Sequence, residues 1–254
     1  LPREELTPDQ VKQKEPTLKS DVLGGFWTPS DSTGDIHKFT FGLAESIRKA
    51  GVTFQMETEL VDVKHHKHCV ELTDTTGQTH TFDGIVVCAG VGSRAIASKL
   101  GDRVNIYPVK GYSITVNLND ELSQQAAPTR SLLDDQAKVV TSRLGKDRFR
   151  IAGTAEFNGY NRDIRNDRIK PLISWCEKHF PDVSTESVVP WAGLRPMMPN
   201  MMPKLGQGKH SNVFYNTGHG HLGWTLSAAT ADIVAASVAQ ARDGSHLTNL
   251  AAAQ

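Results

Sequence analysis

The sequence predicts a mixed α+β / α/β chain made of two interleaved units, and three observations predict it. Short strand–loop–helix pieces occupy both flanks, roughly 20–107 and 196–242. Longer strands with alternating apolar residues fill the middle, roughly 108–195. No internal repeat or low-complexity linker separates these textures, so the boundaries follow the pattern change: 1–107 with 196–254 as one unit, 108–195 as the other. Alternation at period two marks sheets with one buried face, whereas an unbroken apolar strand feeding a loop and a helix belongs to a nucleotide-binding layout. Such a layout favours a ligand between the two units.

Residues 1–20 are polar and punctuated by Pro2, Pro8 and Pro16, with one short helix expected at Pro8–Lys14. Asp35 can cap a helix in which Ile36, Phe39, Leu43, Ile47 and Ala50 recur at helical spacing, and Gly51 stops it. Strands are expected at 52–56, 59–64, 68–73 and 79–82, with a turn at TTGQ. IVVCAG (85–90) reads as a buried strand leading to AGVGS and a helix over Ser93–Leu100. The middle sheet draws on 113–118, 130–133, 138–143 and 148–157, then a helix around Ile164–His179 and a return strand at Ser187–Leu194. NVFYN (212–216) is the last strand, GHGHLG a loop and Trp224–Ala241 the last helix.

The 28 Lys and Arg balance 28 Asp and Glu with no strong run of either sign, which argues against nucleic acid or an anionic membrane as partner. A small ligand fits better. Cys69, Cys88 and Cys176 are odd in number and far apart, which fits neither a disulfide framework nor a zinc pattern and points to a reducing, cytoplasmic setting. No apolar run approaches the roughly 20 residues of a membrane-spanning helix. The chain opens on Leu1, which suggests a processed, split or truncated polypeptide.

Four constellations bear on chemistry. GHGHLG (218–223) matches G-x-G-x-x-G between a strand and a helix, but no second parallel strand follows, and Asp243 falls at the acid's distance only within a polar tail. Its glycines still let backbone N–H groups approach a planar ligand, and the helix start at Trp224–Thr225 favours negative charge; a plain glycine turn is the alternative. In WAGLRP, Pro196 restricts Arg195 to extended geometry, suiting it to grip a carboxylate or, equally, to close the strand by an ion pair. PVKGYS brings Lys110 and Tyr112 to the join between the units, where the hydroxyl meets a ligand carboxylate or simply ends a core tyrosine. His65, His66 and His68 read as a solvated turn, and His219 and His221 lack a third ligand, so no metal site is expected.

GDIHKFT, VVCAGVGS, YPVKGYSIT, WAGLRPMMP and NTGHGHLGWTLS, in this order, resemble the small-subunit type of bacterial D-amino acid dehydrogenase, within the FAD-dependent D-amino acid oxidase and glycine oxidase superfamily. The resemblance implies part of an FAD-binding nucleotide domain interleaved with an antiparallel-sheet substrate domain, the N-terminal FAD-binding βαβ being absent. It implies that Arg195 binds the substrate α-carboxylate, that Tyr112 and Lys110 lie at the flavin–substrate cleft, and that His219 belongs to the catalytic set. Gly218, His219, Gly220, His221, Leu222 and Gly223, with Trp224 and Thr225, would run along the isoalloxazine ring, and Val61, Ala89 and Gly90 would touch the adenine and ribose.

The reaction implied is oxidative deamination of a D-amino acid: hydride leaves an amino acid whose amine is neutral, and the imino acid hydrolyses to a 2-oxo acid and ammonia. Electrons would pass to a quinone-type acceptor through a peripheral contact with the inner membrane. The implied partners are an N-terminal FAD-binding segment or a second subunit. Two alternatives stand beside this: a catalytically silent fragment or subunit that needs a partner for FAD, and a glycine or secondary-amine oxidase. Met198, Asn200, His221 and the segment PKLGQG depart from the family's usual residues, which points to a different pocket or substrate preference.

Overall fold

The computed structural model describes residues 2–242, so Asp243 and the tail at 245–254 lie outside the described residues. In chain order the elements are β1 (Glu4–Leu6), α1 (Pro8–Lys14), β2 (Gly25–Trp27), α2 (Ile36–Lys49), β3 (Leu60–His65), β4 (Val70–Asp74), β5 (Thr79–Phe82), β6 (Ile85–Val87), a 3-10 turn at Gly90–Gly92, α3 (Ser93–Lys99) and β7 (Tyr107–Asn117). There follow α4 (Glu121–Ala126), β8 (Leu133–Asp134), β9 (Val139–Arg143), β10 (Arg148–Glu156), α5 (Asn166–His179), β11 (Val188–Met197), β12 (Lys204–Gln207), β13 (Val213–Thr217) and α6 (Gly223–Arg242).

The described residues divide into two compact units: 2–47 with 110–193, and 48–109 with 194–242. Residues 2–47 group with the middle sheet. Local contacts explain this. The Glu15 carboxylate accepts from the backbone N–H groups of Thr129 and Arg130 at 3.0 and 3.1 Å. Asp35 pairs with Arg148 at 2.8 Å, and Leu18 enters the middle sheet's core.

In the first unit a five-stranded sheet has the order β11-β7-β10-β9-β8. One face is the core: Tyr112, Ile114 and Val116 of β7 and Phe149 and Ile151 of β10 pack with Ile169, Leu172, Trp175 and Cys176 of α5. Removing each such side chain from water contributes roughly 1.5–3 kcal/mol. Two helices start as polar caps dictate. Thr7 and Gln10 form a reciprocal capping box on α1, and the Asp35 carboxylate accepts from the N–H groups of His37 and Lys38 at the start of α2. No residue of α2 is buried among the described residues, although its apolar stripe is at helical spacing.

In the second unit β12, β13 and β6 form one three-stranded sheet, and β3, β4 and β5 a second, antiparallel one. Val63, Val70, Val87, Leu100, Ile106, Val213 and Tyr215 make the core. β13 pairs in parallel with β6, Val213 opposite Ile85 and Tyr215 opposite Val87. Beside it, the Tyr215 hydroxyl donates to Asp102 at 2.9 Å.

Several elements differ from expectation. Residues 52–55 form no strand and Met56 enters a turn, between Gly51 and Glu57, both at positive φ. Of 130–133 only Leu133 enters a strand. β1, β2, α4 and β12 were not legible: α4 is six residues long and set by Asp120, which accepts from the Ser123 N–H at 2.7 Å. Among the described residues no helix is long and apolar enough to cross a membrane.

Candidate active site

The parallel pair in the second unit marks a candidate site by its direction. β6 and β13 both end at the same edge, and ligands of open α/β sheets bind outside the carboxyl ends of their strands. Beyond β6 come Cys88, Ala89 and Gly90; beyond β13 comes Gly218 to Gly223. A buried contact ties the two exits together: the hydroxyls of Ser93 and Thr217 are 2.8 Å apart, and Thr217 also donates to the Gly90 carbonyl at 3.4 Å. Gly90 has a φ of +54°, and a Cβ there would meet no atom within 4 Å. Open space thus lies beside an exposed backbone segment.

The glycine loop is held by the strand that carries Arg195. Gly220 donates its N–H to the Pro196 carbonyl at 3.0 Å, and Met197 and His219 form an isolated antiparallel bridge. Gly218 and Gly220 have φ values of +83° and +56°, and a Cβ on either would lie 2.7 Å from Met198 Cγ or 2.6 Å from Met197 Sδ. Glycine is required at both by backbone conformation and by space. The Leu222 N–H donates to the His219 carbonyl at 3.0 Å, and α6 begins at Gly223. The N–H groups of a helix's first turn lack internal acceptors and carry about half a positive charge, so they favour a ligand edge that gains electrons.

The expected residues fall into two groups. Arg195 sits half-buried in β11 one residue before Pro196, and burial lowers its proton affinity from the usual arginine value without discharging it. His221, Leu222, Trp224 and Thr225 are exposed where the loop meets α6. The His219 ring instead meets the Thr230 hydroxyl of α6 at 3.2 Å, and burial pushes its pKa down, which favours the neutral imidazole at neutral pH. Val61 is the extra residue of a bulge in β3 and is exposed. Of the histidines read as a solvated turn, His65 is partly buried and stacks on His210 with ring centroids 3.7 Å apart. Among the described residues no group of three or more His, Cys, Asp or Glu is placed to hold a metal.

Lys110 and Tyr112 lie in the first unit, both buried. The Lys110 ammonium pairs with Glu156 at 3.0 Å and donates to Asn161 Oδ1 at 2.8 Å and the Asp163 carbonyl at 3.1 Å. The Tyr112 hydroxyl donates to Glu156 Oε2, and Arg165 pairs with Oε1 at 2.9 Å. These donors, Tyr112 and Lys110 foremost, hold the Glu156 carboxyl down at about 2. Burial raises the Tyr112 pKa further, so the phenol stays protonated. Glu156 was missed by sequence reasoning. A signal existed: it is a lone acid at the end of an alternating strand, and β10 pairs antiparallel with β7 so that Glu156 faces Lys110.

The residues present fit one edge of a flavin: an open glycine at the end of β6, a glycine loop leading into a helix N-terminus, and a guanidinium on the strand that fixes that loop. A family model described as FAD dependent oxidoreductase, DAO, matches residues 1–237. The chain is 56% identical to a D-amino acid dehydrogenase 3 from Mesorhizobium japonicum over 94% of this chain and 58% of that protein. It is 39% identical to a D-amino acid dehydrogenase from Paramagnetospirillum magneticum over 92% of this chain and 55% of that one. Glycine oxidase from Geobacillus kaustophilus shares the fold with a TM-score of 0.86 at 23% identity, covering 99% of this chain and 66% of that one. The chain therefore spans a little over half the length of the curated relatives it matches. With a match across nearly its whole length, the chain belongs to the DAO family of FAD-dependent oxidoreductases.

Proposed function

We propose that this chain supplies the substrate-binding and flavin-edging residues of an FAD-dependent D-amino acid dehydrogenase, which converts D-amino acids to 2-oxo acids and ammonia and passes electrons to a quinone-type acceptor. The observation that carries the reading is the hydrogen bond from Gly220 to Pro196, which sets the loop at the head of α6 in fixed register with Arg195. Bound FAD supplies the two-electron acceptor.

Arg195 takes the α-carboxylate in two parallel N–H···O bonds, and Pro196 limits the directions in which it can reach. A carboxylate gripped at one end leaves the amino acid few orientations, so its Cα–H is presented in one direction. The N–H groups at the head of α6 stabilise the ring edge that gains charge. Ala89 and Gly90 line the adenine and ribose side, with Val61 beside them. Tyr112 and Lys110, already committed to Glu156, serve as positioning residues of the middle sheet, and His219 holds the loop on α6 through Thr230.

The N-terminal part of the flavin domain comes from an N-terminal segment of the same polypeptide or from a second subunit. Supporting this, β6 is an edge strand of three residues in parallel pairing, and Val86, Asn216, Val234, Ala235 and Val238 line an open groove. Parallel strands are normally covered on both faces, so one further strand and helix fit there. The quinone meets the assembled protein at the membrane surface.

The test is anaerobic addition of D-alanine to the FAD-loaded protein, with L-alanine as control. Bleaching of the flavin band by the D isomer alone, with pyruvate and ammonia formed and a quinone reduced on readmission of acceptor, is expected. Bound FAD that no D-amino acid bleaches contradicts the proposal, and stoichiometric hydrogen peroxide in air would move the protein to the oxidases.

A further inference from the structure

The open face of the five-stranded sheet carries two arginines on β10 with different surroundings. Arg148 pairs with Asp35 at 2.8 Å. Arg150, two residues on and therefore on the same face, has no carboxylate within ion-pair distance among the described residues. Its Nη2 donates to Ser113 Oγ at 3.1 Å, and its guanidinium carbon stands 5.3 Å from the centre of the Trp191 ring. Arg150 pairs across the sheet with Thr115, so Ser113 is its diagonal neighbour on β7. Trp191 is on β11, the strand beyond β7. The side chain thus lies across β7, Ser113 under its path and Trp191 at its end.

This arrangement is built. Ser113 is buried, 2% exposed, and spends its oxygen on the guanidinium. The Trp191 ring lies back over Gly193, where a Cβ would collide with it, so the glycine two residues on makes room for the platform. Burial lowers the proton affinity of Arg150, the Asp35 charge only partly offsetting it. A guanidinium taken from water normally acquires a counter-charge. Here one N–H is used by a neutral hydroxyl and one ring face by an indole, which leaves the in-plane fork that a carboxylate matches.

We propose that Arg150, Ser113 and Trp191 form a binding site for one planar carboxylate on the open face of the middle sheet, separate from the role assigned to Arg195. A single fixed cation balances a carboxylate monoanion, which the fork grips in two parallel N–H···O bonds, more closely than it balances phosphate, which carries more than one negative charge near neutral pH.

Trp191 reports on the site directly. Titrating the purified chain with acetate at constant ionic strength, sodium chloride making up the balance, is expected to change tryptophan fluorescence saturably with a millimolar midpoint. Trp191→Phe removes the signal, and Arg150→Met abolishes saturation. Arg150→Lys keeps the charge but loses the fork and shifts the midpoint upward by about tenfold. Arg195→Met leaves the response intact. Circular dichroism confirms that each variant is folded, and Arg150→Lys keeps the test decisive where Arg150→Met does not fold. No saturable response in the parent chain, an unchanged midpoint in Arg150→Met or Arg150→Lys, or loss of the response in Arg195→Met overturns the proposal. An equal response to inorganic phosphate overturns its carboxylate selectivity.

Discussion

Gly220 donates its backbone N–H to the Pro196 carbonyl at 3.0 Å, so the loop at the head of α6 and the strand bearing Arg195 are one hydrogen-bonded unit. Gly220→Ala forces a positive φ on a residue with a Cβ and drives that atom to 2.6 Å from Met197 Sδ. A destabilisation of roughly 1–3 kcal/mol follows. Gly42 in the exposed helix α2 has nothing within 4 Å, so Gly42→Ala stabilises by up to about 1 kcal/mol. Urea unfolding midpoints of the two variants should move in opposite directions.

Arg195→Met removes the group proposed to grip the α-carboxylate. In the FAD-loaded protein kcat/KM for D-alanine should fall by at least about thirtyfold, equivalent to roughly 2 kcal/mol. The flavin spectrum should be retained, since no cofactor contact is assigned to that side chain. Steady-state kinetics on the variant, with its visible spectrum alongside, check both halves.

The Glu156 cluster gives the fold a pH dependence with a definite sign. Its carboxyl is held at about 2 against an ordinary value of 4.5, so between these pH values the unfolded chain binds a proton that the native one does not. The contribution is complete above pH 4.5 and is lost as pH falls toward 2. Asp74, also held near 2, adds to the same trend. Denaturant midpoints measured across that window should fall less steeply for Glu156→Gln than for the parent, and the variant should be the weaker protein at neutral pH.

Thr217→Val tests the tie between the two strand exits. It leaves the buried Ser93 hydroxyl without its partner, at a cost of about 1–3 kcal/mol in unfolding free energy. Ser93→Ala with Thr217→Val should recover part of that loss, which a double-mutant cycle of unfolding free energies measures.

Much of the fold was legible because its signals are local. Asp35 and Gly51 bracket α2, the alternation at 148–157 marks β10, and the unbroken IVV marks β6, although the strand stops at Val87 and is not fully buried, Val86 being exposed. β1, β2 and β12 were illegible because EEL, GFW and KLGQ carry neither an apolar β-branched run nor a clear alternation; only partners distant in sequence define them. The candidate site divided the same way. Glycine spacing and Pro196 marked Arg195 and the 218–223 loop, but no local pattern could show that His219 turns to Thr230 or that Lys110 and Tyr112 converge on Glu156. Those contacts span 11 to 46 residues and exist only once helix and sheet have packed.

Propionate, a D-alanine analogue without the amine, tests most directly whether Arg195 holds a carboxylate beside a flavin edged by the Gly218–Gly223 loop. Titrated into the FAD-loaded protein, propionate should perturb the flavin absorption band saturably, and Arg195→Met should abolish the perturbation while keeping the flavin bound. An unperturbed band in the parent protein, or the same perturbation at the same midpoint in Arg195→Met, would contradict the account.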